Sequence, residues 1–340
     1  MSAHNKIRLA DIADKMGVST VTVSKALADK DGVSEELRER IKQMAVDLGY
    51  RFKSAGKLRK AGSTGNIGVL IPSRFFGKNS SFYWVLYNDV ALSLLQHDYY
   101  CIMEILSPED EAAQRMPRMI QERKVDGLVV LGQLNESYLE YFAEQYSNFV
   151  LLDFYNGRHN FDSVTTDNFY CMYMMTLYLI KMGHKKIGFV GTFKSTTSIQ
   201  DRYMGFLKAM MEHDLDVSKT DVLDDRDEEG HLIPLVLPKK LPSAFVCNND
   251  EAAAALIREL RKEGHSVPED ISVVGFDNYL RMPIPELGIT TVEVDTVGMA
   301  RTAVDLILKK LSKKPYNKGR NSIGGKLIFK DTVKKIGDGK

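Results

Sequence analysis

Residues 8–28 read RLADIADKMGVSTVTVSKALA. Leu9, Ile12, Ala13 and Met16 fall at i, i+3, i+4 and i+7, one apolar face of a first helix. Gly17 ends it, because glycine alone reaches positive φ at a helix end without steric cost. Ser19 is placed to accept from the free N–H groups opening a second helix, whose Val23 and Leu27 repeat at i, i+4. Two short helices across a Gly-Val-Ser turn are either an ordinary helical hairpin or a helix-turn-helix, whose second helix enters a DNA major groove. Two features favour the latter. Thr20, Val21, Thr22, Ser24 and Lys25 leave the second helix small and mostly polar outside, suited to a groove roughly 12 Å wide. A third helix follows, with Ser34 expected as N-cap, Glu35 and Glu36 in its first turn, and Leu37, Ile41, Met44 and Leu48 as its stripe. Residues 1–52 therefore predict a helical DNA-binding headpiece.

The chain of 340 residues needs at least one further domain. Its net charge is +1, yet residues 1–62 hold 13 Lys and Arg against 8 Asp and Glu. Phosphate-facing charge is thus concentrated at the N-terminus, where counterion release supplies affinity for DNA. Cys101, Cys171 and Cys247 are far apart and show no ligand spacing, so neither a disulfide framework nor a metal site is expected. That usage and the absence of a signal-like start predict a cytoplasmic protein. No run is long enough to span a bilayer, and no membrane partner is expected.

Residues 53–65 read as hinge helix and linker. Leu58 among Lys57, Arg59 and Lys60 has the composition of a minor-groove wedge, the alternative being plain flexible linker. From Asn66 the pattern becomes alternating strands and helices. IGVLI (67–71), YCIMEI (100–105), GLVVL (127–131) and FVLLD (149–153) read as buried parallel strands. Helical periodicity fills 82–97, 110–123 and 136–144. KIGFVG (186–191), AFVCN (244–248) and ISVVGF (271–276) repeat the scheme with helices at 168–182, 198–213 and 251–263. The pattern predicts two doubly wound units with a cleft between them, where ligands sit beyond the carboxyl ends of strands.

Polar residues stand at those ends: Asp153, Asn248, Asn249, Asp250, Asp277 and Asn278, with Arg202 opening the helix after KIGFVG. Together with Phe82, Tyr83 and Phe276 they have the makings of a polyol pocket, since sugar hydroxyls both donate and accept. The plainer reading is helix capping, and for Asp250 capping is preferred. His184 reads as a cap at a helix end. There is no GxSxG, no GxxxxGK[ST] and no HExxH, so no enzyme and no cofactor are proposed.

Taken together, LADIADKMGVSTVTVSKAL, MGHKKIGFVG, SIQDRYMGF, VCNNDEAA, PEDISVVGFDN and ITTVEVD resemble, in this order, the lac-repressor (LacI/GalR) family of bacterial transcription regulators, over nearly the whole chain. The resemblance implies a helix-turn-helix headpiece followed by an α/β core of two Rossmann-like subdomains of the periplasmic-binding-protein type. It implies an N-subdomain of about 66–165 plus 295–322, and a C-subdomain of about 166–294 plus 323–340. It also implies a homodimeric, cytoplasmic regulator, a repressor of a double-stranded DNA operator, controlled by a small polar effector such as a carbohydrate. Carried over by motif, Thr20, Val21 and Lys25 match base-reading positions; the DNA-facing set is Arg8, Ser19, Thr20, Val21, Thr22, Ser24, Lys25, Ser34, Lys57, Leu58 and Arg59. The effector set is Ser73, Phe82, Tyr83, Asp153, Arg202, Asn249, Phe276 and Asp277.

Three departures from the family pattern stand out. Phe52 replaces the hinge proline and Leu58 sits eight residues past Tyr50, so the hinge helix is shifted or its wedge weaker. SRFFGKNSSFY (73–83) lengthens the first pocket loop, bringing Phe75 and Phe76 within reach of the ligand. HLIPLVLPKKL (231–241) replaces a usual helix, and the acidic DDRDEEG (224–230) before it is expected to line the cleft mouth. A transporter's solute-binding protein and a carbohydrate-converting enzyme remain the rival readings; the first lacks its export signal, the second its catalytic motif.

Overall fold

A computed structural model describes residues 7–27, 30–48, 50, 63–76, 81–227, 230–280 and 282–337. The chain divides into two compact units, Met1–Ser63 and Thr64–Lys340. In the first, α1 (Leu9–Met16), α2 (Thr20–Leu27) and α3 (Glu35–Asp47) close over Ile12, Ala13, Val23, Ala26, Ile41 and Ala45. Gly17 takes the left-handed conformation, φ 64°. Ser19 Oγ accepts the Thr22 N–H at 3.0 Å, whereas Ser34 occupies the expected N-cap position of α3 with extended backbone angles but makes no capping hydrogen bond through its side chain. The buried Arg38 guanidinium instead braces the turn before α3 by donating to the carbonyls of Lys30 and Val33. The hinge residues Lys57, Leu58 and Arg59 lie outside the described residues.

The second unit holds two lobes. The first begins with β1 (Asn66–Pro72), α4 (Phe82–Leu95), β2 (Tyr100–Leu106), α5 (Pro108–Ala112), α6 (Arg118–Gln121), β3 (Gly127–Leu131), α7 (Glu136–Gln145), β4 (Phe149–Leu152) and β5 (Ser163–Thr166). The chain then builds α8 (Asn168–Lys181), β6 (Ile187–Val190), α9 (Thr197–Glu212), β7 (Val222–Leu223), β8 (Ala244–Cys247), α10 (Asp250–Lys262), β9 (Ser272–Val274) and β10 (Thr291–Glu293) of the second lobe. It returns to the first through α11 (Thr296–Ser312), packed on α4, and β11 (Arg320–Ile323), and ends near β12 (Lys326–Ile328) beside β10. One parallel sheet runs β11-β5-β4-β3-β1-β2 and the other β7-β6-β8-β9.

Three expectations need correction. YCIMEI is a strand, but it is the edge of its sheet and only half-buried, not a buried strand. The helix expected over 110–123 is two short pieces, because Pro117 restricts the residue before it and leaves the helical path itself, with ψ 139°. His184 is not a cap: its ring is buried, Nδ1 beside Ser243 Oγ at 3.0 Å and Nε2 beside the Lys334 carbonyl at 3.2 Å. Residues 231–241 hold no helix. Among the described residues no helix is long and apolar enough to cross a membrane.

Helices α8 and α9 lie close enough that a Cβ on Gly205 would collide with the backbone carbonyl of Phe169. Backbone cannot rotate away as a side chain can, so Gly205→Ala is expected to cost roughly 1–3 kcal/mol by overpacking. Urea denaturation checks it: a lower midpoint with an unchanged slope is the expected result.

Candidate DNA-reading surface and effector cleft

In the headpiece, Val23 and Ala26 turn inward, leaving Thr20, Val21, Ser24 and Lys25 exposed on α2. Val21 is 63% exposed, an apolar side chain without a partner in its own core. The Ser19 and Thr22 hydroxyls lie 2.8 Å apart and serve the start of α2. Arg8 is exposed and its backbone N–H donates to Asp11. Ser34 is exposed at the start of α3.

In the core, a cavity of about 70 Å³ lies at the carboxyl ends of the strands of both lobes. Phe82, Tyr83, Asp153, Arg202, Asn249 and Asp277 all line it. Asp153 follows β4 with φ 68° and Asp277 follows β9 with φ 96°. Such left-handed angles cost a non-glycine residue about 1–3 kcal/mol and persist where surroundings enforce them. The Asp153 N–H donates to the Val164 carbonyl and the Asp277 N–H to that of Val292, both at 2.8 Å. The Arg202 guanidinium stacks on Phe276, 3.8 Å from its centroid. Nε donates to Asn168 Oδ1 at 2.8 Å, Nη1 to the Asn248 carbonyl at 2.6 Å and Nη2 to Asp277 Oδ1 at 3.2 Å. Three of the five guanidinium N–H groups are thereby engaged, leaving two.

Tyr83 donates its hydroxyl to Asp153 Oδ2 at 3.0 Å, while Asp153 Oδ1 is buried without a partner among the described residues. Asn248 gives its amide N–H groups to Val190 and Asp225, and its Oδ1 is likewise buried and unpartnered. Burial pushes the Asp153 carboxyl up to about 7, with Arg202 opposing and Asp277 reinforcing the shift. The Asp277 carboxyl is also raised by burial, held back by Arg202 and Arg226.

Other candidates are placed differently. Phe276 is the platform beneath Arg202, fully buried. Ser73 does not line this cavity but a neighbouring one. Asn249 lines the cavity yet caps α10, its Oδ1 accepting the Ala252 N–H at 2.8 Å. Asp250, expected to cap, instead accepts from the Thr291 hydroxyl at 2.7 Å and the Tyr279 N–H at 2.9 Å, tying together the loop that carries Asp277. Sequence reasoning missed Thr196 and Ser198 on the cavity wall, and reached Arg226 only as part of 224–230, the stretch expected at the cleft mouth. Thr196 and Ser198 sit at the start of α9, a position periodicity could have flagged. Among the described residues no cluster of His, Cys, Asp or Glu could hold a metal ion.

Residues 8–52 match the family described as bacterial regulatory proteins, lacI family, and residues 176–333 match the periplasmic binding protein-like domain. The HTH-type transcriptional regulator RegA of Clostridium saccharobutylicum is 30% identical over 332 residues, covering 96% of this chain and 98% of RegA. The chain belongs to the lacI family of transcriptional regulators. It is a DNA-binding regulator, with the helix-turn-helix unit as its DNA-binding part. The crystal structure of the lac repressor dimer bound to operator and the anti-inducer ONPF is similar in fold, with a TM-score of 0.74 at 20% identity, over 97% of this chain and 100% of that one. A complex of the regulator CelR with cellobiose has a TM-score of 0.65 at 20% identity, over 96% and 99%.

Proposed function

We propose that this lacI-family protein is a cytoplasmic homodimeric repressor whose operator affinity is set by a polyol, a sugar, held between the lobes of its core, without catalysis. The observation that carries the ligand reading is the pair of buried, unpartnered acceptors, Asp153 Oδ1 in one lobe and Asn248 Oδ1 in the other, lining one cavity. A buried acceptor left unmade costs about 1–3 kcal/mol, so a ligand donating to both lobes is favoured over an empty cleft. The lobes already touch across it: Gln133 Oε1 accepts the Thr197 N–H at 2.8 Å, and Asp201 accepts from Tyr155 and Arg320 at 2.9 and 2.6 Å. A ligand bridging the lobes shifts their equilibrium by its differential affinity for the closed state. In the headpiece, Thr20, Val21, Ser24 and Lys25 read base edges, Val21 against a thymine methyl.

The test is a panel of sugars, purines and amino acids against the full-length protein, with operator affinity measured beside thermal stability. A sugar that raises the melting temperature and changes operator affinity supports the reading; a purine or amino acid doing so in its place overturns it. Lys25→Ala is expected to weaken operator binding and lower its salt slope by about one.

Pairing is supported by α4 and β2. Trp84, Leu92, Leu95 and Tyr100 are exposed there, the last three by 61–64%, on a helix and an edge strand whose outer faces a second copy would cover. Leu92→Asp with Leu95→Asp is expected to yield monomers at micromolar concentration in sedimentation. An unchanged dimer would move the interface elsewhere.

A further inference from the structure

Opposite its cleft, the second lobe ends in a surface built of lysines. Its strands are parallel, so the chain enters β6, β8 and β9 at one pole and leaves toward the cleft at the other. Lys185 and Lys186 lead into β6, Lys239 and Lys240 precede β8, Lys181 closes α8, and residues 333–337 add Lys334 and Lys335. Hydrogen bonds draw these stretches together. The Ser243 N–H donates to the Lys186 carbonyl at 3.0 Å, and the Ile336 N–H to the Met182 carbonyl at 2.7 Å. Buried His184 sits between them, Nδ1 3.0 Å from Ser243 Oγ and Nε2 3.2 Å from the Lys334 carbonyl. All seven lysines are exposed, and residues 181–186, 239–243 and 333–337 contain no Asp or Glu.

Lys334 Nζ donates to the Glu269 carbonyl at 2.9 Å; the other six ammonium groups make no ion pair or hydrogen bond among the described residues. Lys181 answers the negative end of α8, a common placement for a cation, but the remaining lysines lie outside any helix. On the neighbouring strand leads stand Asp221 before β7 and Glu269 and Asp270 before β9, too few to neutralise the patch. We propose that this pole is a second, sequence-independent contact surface for duplex DNA, distinct from the helix-turn-helix. A phosphate backbone is the matching occupant, because lysines laid along it release condensed counterions and need no fixed geometry. A protein partner fits less well: protein interfaces are depleted in lysine and centred on aromatic or apolar side chains. Within these stretches Ile336, 37% exposed, is the one exposed large apolar side chain. An anionic membrane likewise takes an apolar anchor besides charge for stable attachment. Contacts to phosphate position a duplex without reading bases, so the core gains a hold on any sequence while the headpiece reads the operator.

The experiment is lysine acetylation footprinting of the full-length protein by mass spectrometry, with and without a mixed-sequence duplex about three helical turns long. At roughly 50 mM salt, Lys185, Lys186, Lys239 and Lys240 are expected to react at least threefold more slowly with the duplex present, and at the free rate in high salt. Lys25→Ala is expected to weaken the headpiece's hold and leave this protection in place. In the quadruple variant Lys185→Gln, Lys186→Gln, Lys239→Gln and Lys240→Gln, duplex beyond that held by the headpieces is expected to bind at least tenfold more weakly, with the melting temperature unchanged. Protection of Lys25 without protection of the four pole lysines overturns the proposal. So does protection at the pole with unchanged titration of the quadruple variant, which would mean the duplex passes over lysines that contribute nothing. Polyglutamate or phosphatidylserine vesicles that shield the four lysines better than the duplex at equal charge concentration overturn duplex DNA as the occupant.

Discussion

Arg202→Ala is expected to lower effector affinity at least a hundredfold and destabilise the core by about 3–5 kcal/mol, the cost of breaking a buried ion pair from one side. Arg202 is 5% exposed, and its Asp277 partner is buried as well. Truncation leaves three acceptors facing a void: the Asp277 carboxylate, the Asn248 carbonyl and Asn168 Oδ1. It also removes the stacking on Phe276 and the two N–H groups left for ligand. Arg202→Lys keeps a charge beside Asp277 but loses the planar fork, so it is expected to fall between wild type and alanine. Titration calorimetry and urea melts measure the two effects. An alanine variant that binds within tenfold of wild type would reduce Arg202 to a scaffold residue.

The strands were legible where both faces of a sheet are covered. Residues 67–71, 127–131 and 149–152 are continuous apolar runs because helices pack above and below them. β5 was not, since SVTT shows hydroxyls although all four residues are buried; pairing with β4 and β11 makes it a strand, and that is not a local property. β2 misled in the opposite direction. Its apolar residues suggested the interior, but they belong to the edge strand of its sheet. In the site, a general rule about strand ends found Asp153 and Asp277, because such folds put ligands there. Arg226 was reached only as one residue of an acidic stretch, because the chain around it has no period to single it out, and Asn168 escaped because its contact with Arg202 crosses from one helix to another. Asn249 took the cap expected of Asp250 while still lining the cavity: adjacent carboxylate and amide both cap well, and only tertiary contacts with Thr291 and Tyr279 decide between them.

Affinity for the effector is expected to rise about fivefold between pH 6 and pH 8 and then level, through Asp153. Burial holds its carboxyl at about 7 in the unliganded cleft. At pH 6 it is mostly protonated and at pH 8 mostly charged. A ligand hydroxyl donating to Oδ1 favours the carboxylate, so the complex has the lower pKa and binding releases a proton below pH 7. A fall of one unit on binding is a tenfold change in affinity between the acid and alkaline limits, about fivefold of which falls between pH 6 and pH 8. The unliganded core shows the opposite trend. Its folded pKa for Asp153 lies above the unfolded value, so this group's stabilising contribution is present below about pH 4 and is lost as pH rises through 7. Effector should therefore raise the melting temperature more at pH 8 than at pH 6. Asp153→Asn keeps the side chain's size and an acceptor oxygen while removing the titration, and both dependences should flatten. Calorimetry in two buffers of different ionisation enthalpy reads the proton directly. Affinity that falls from pH 6 to pH 8, or a wild-type profile retained by Asp153→Asn, would remove Asp153 from the ligand's hydrogen bonds.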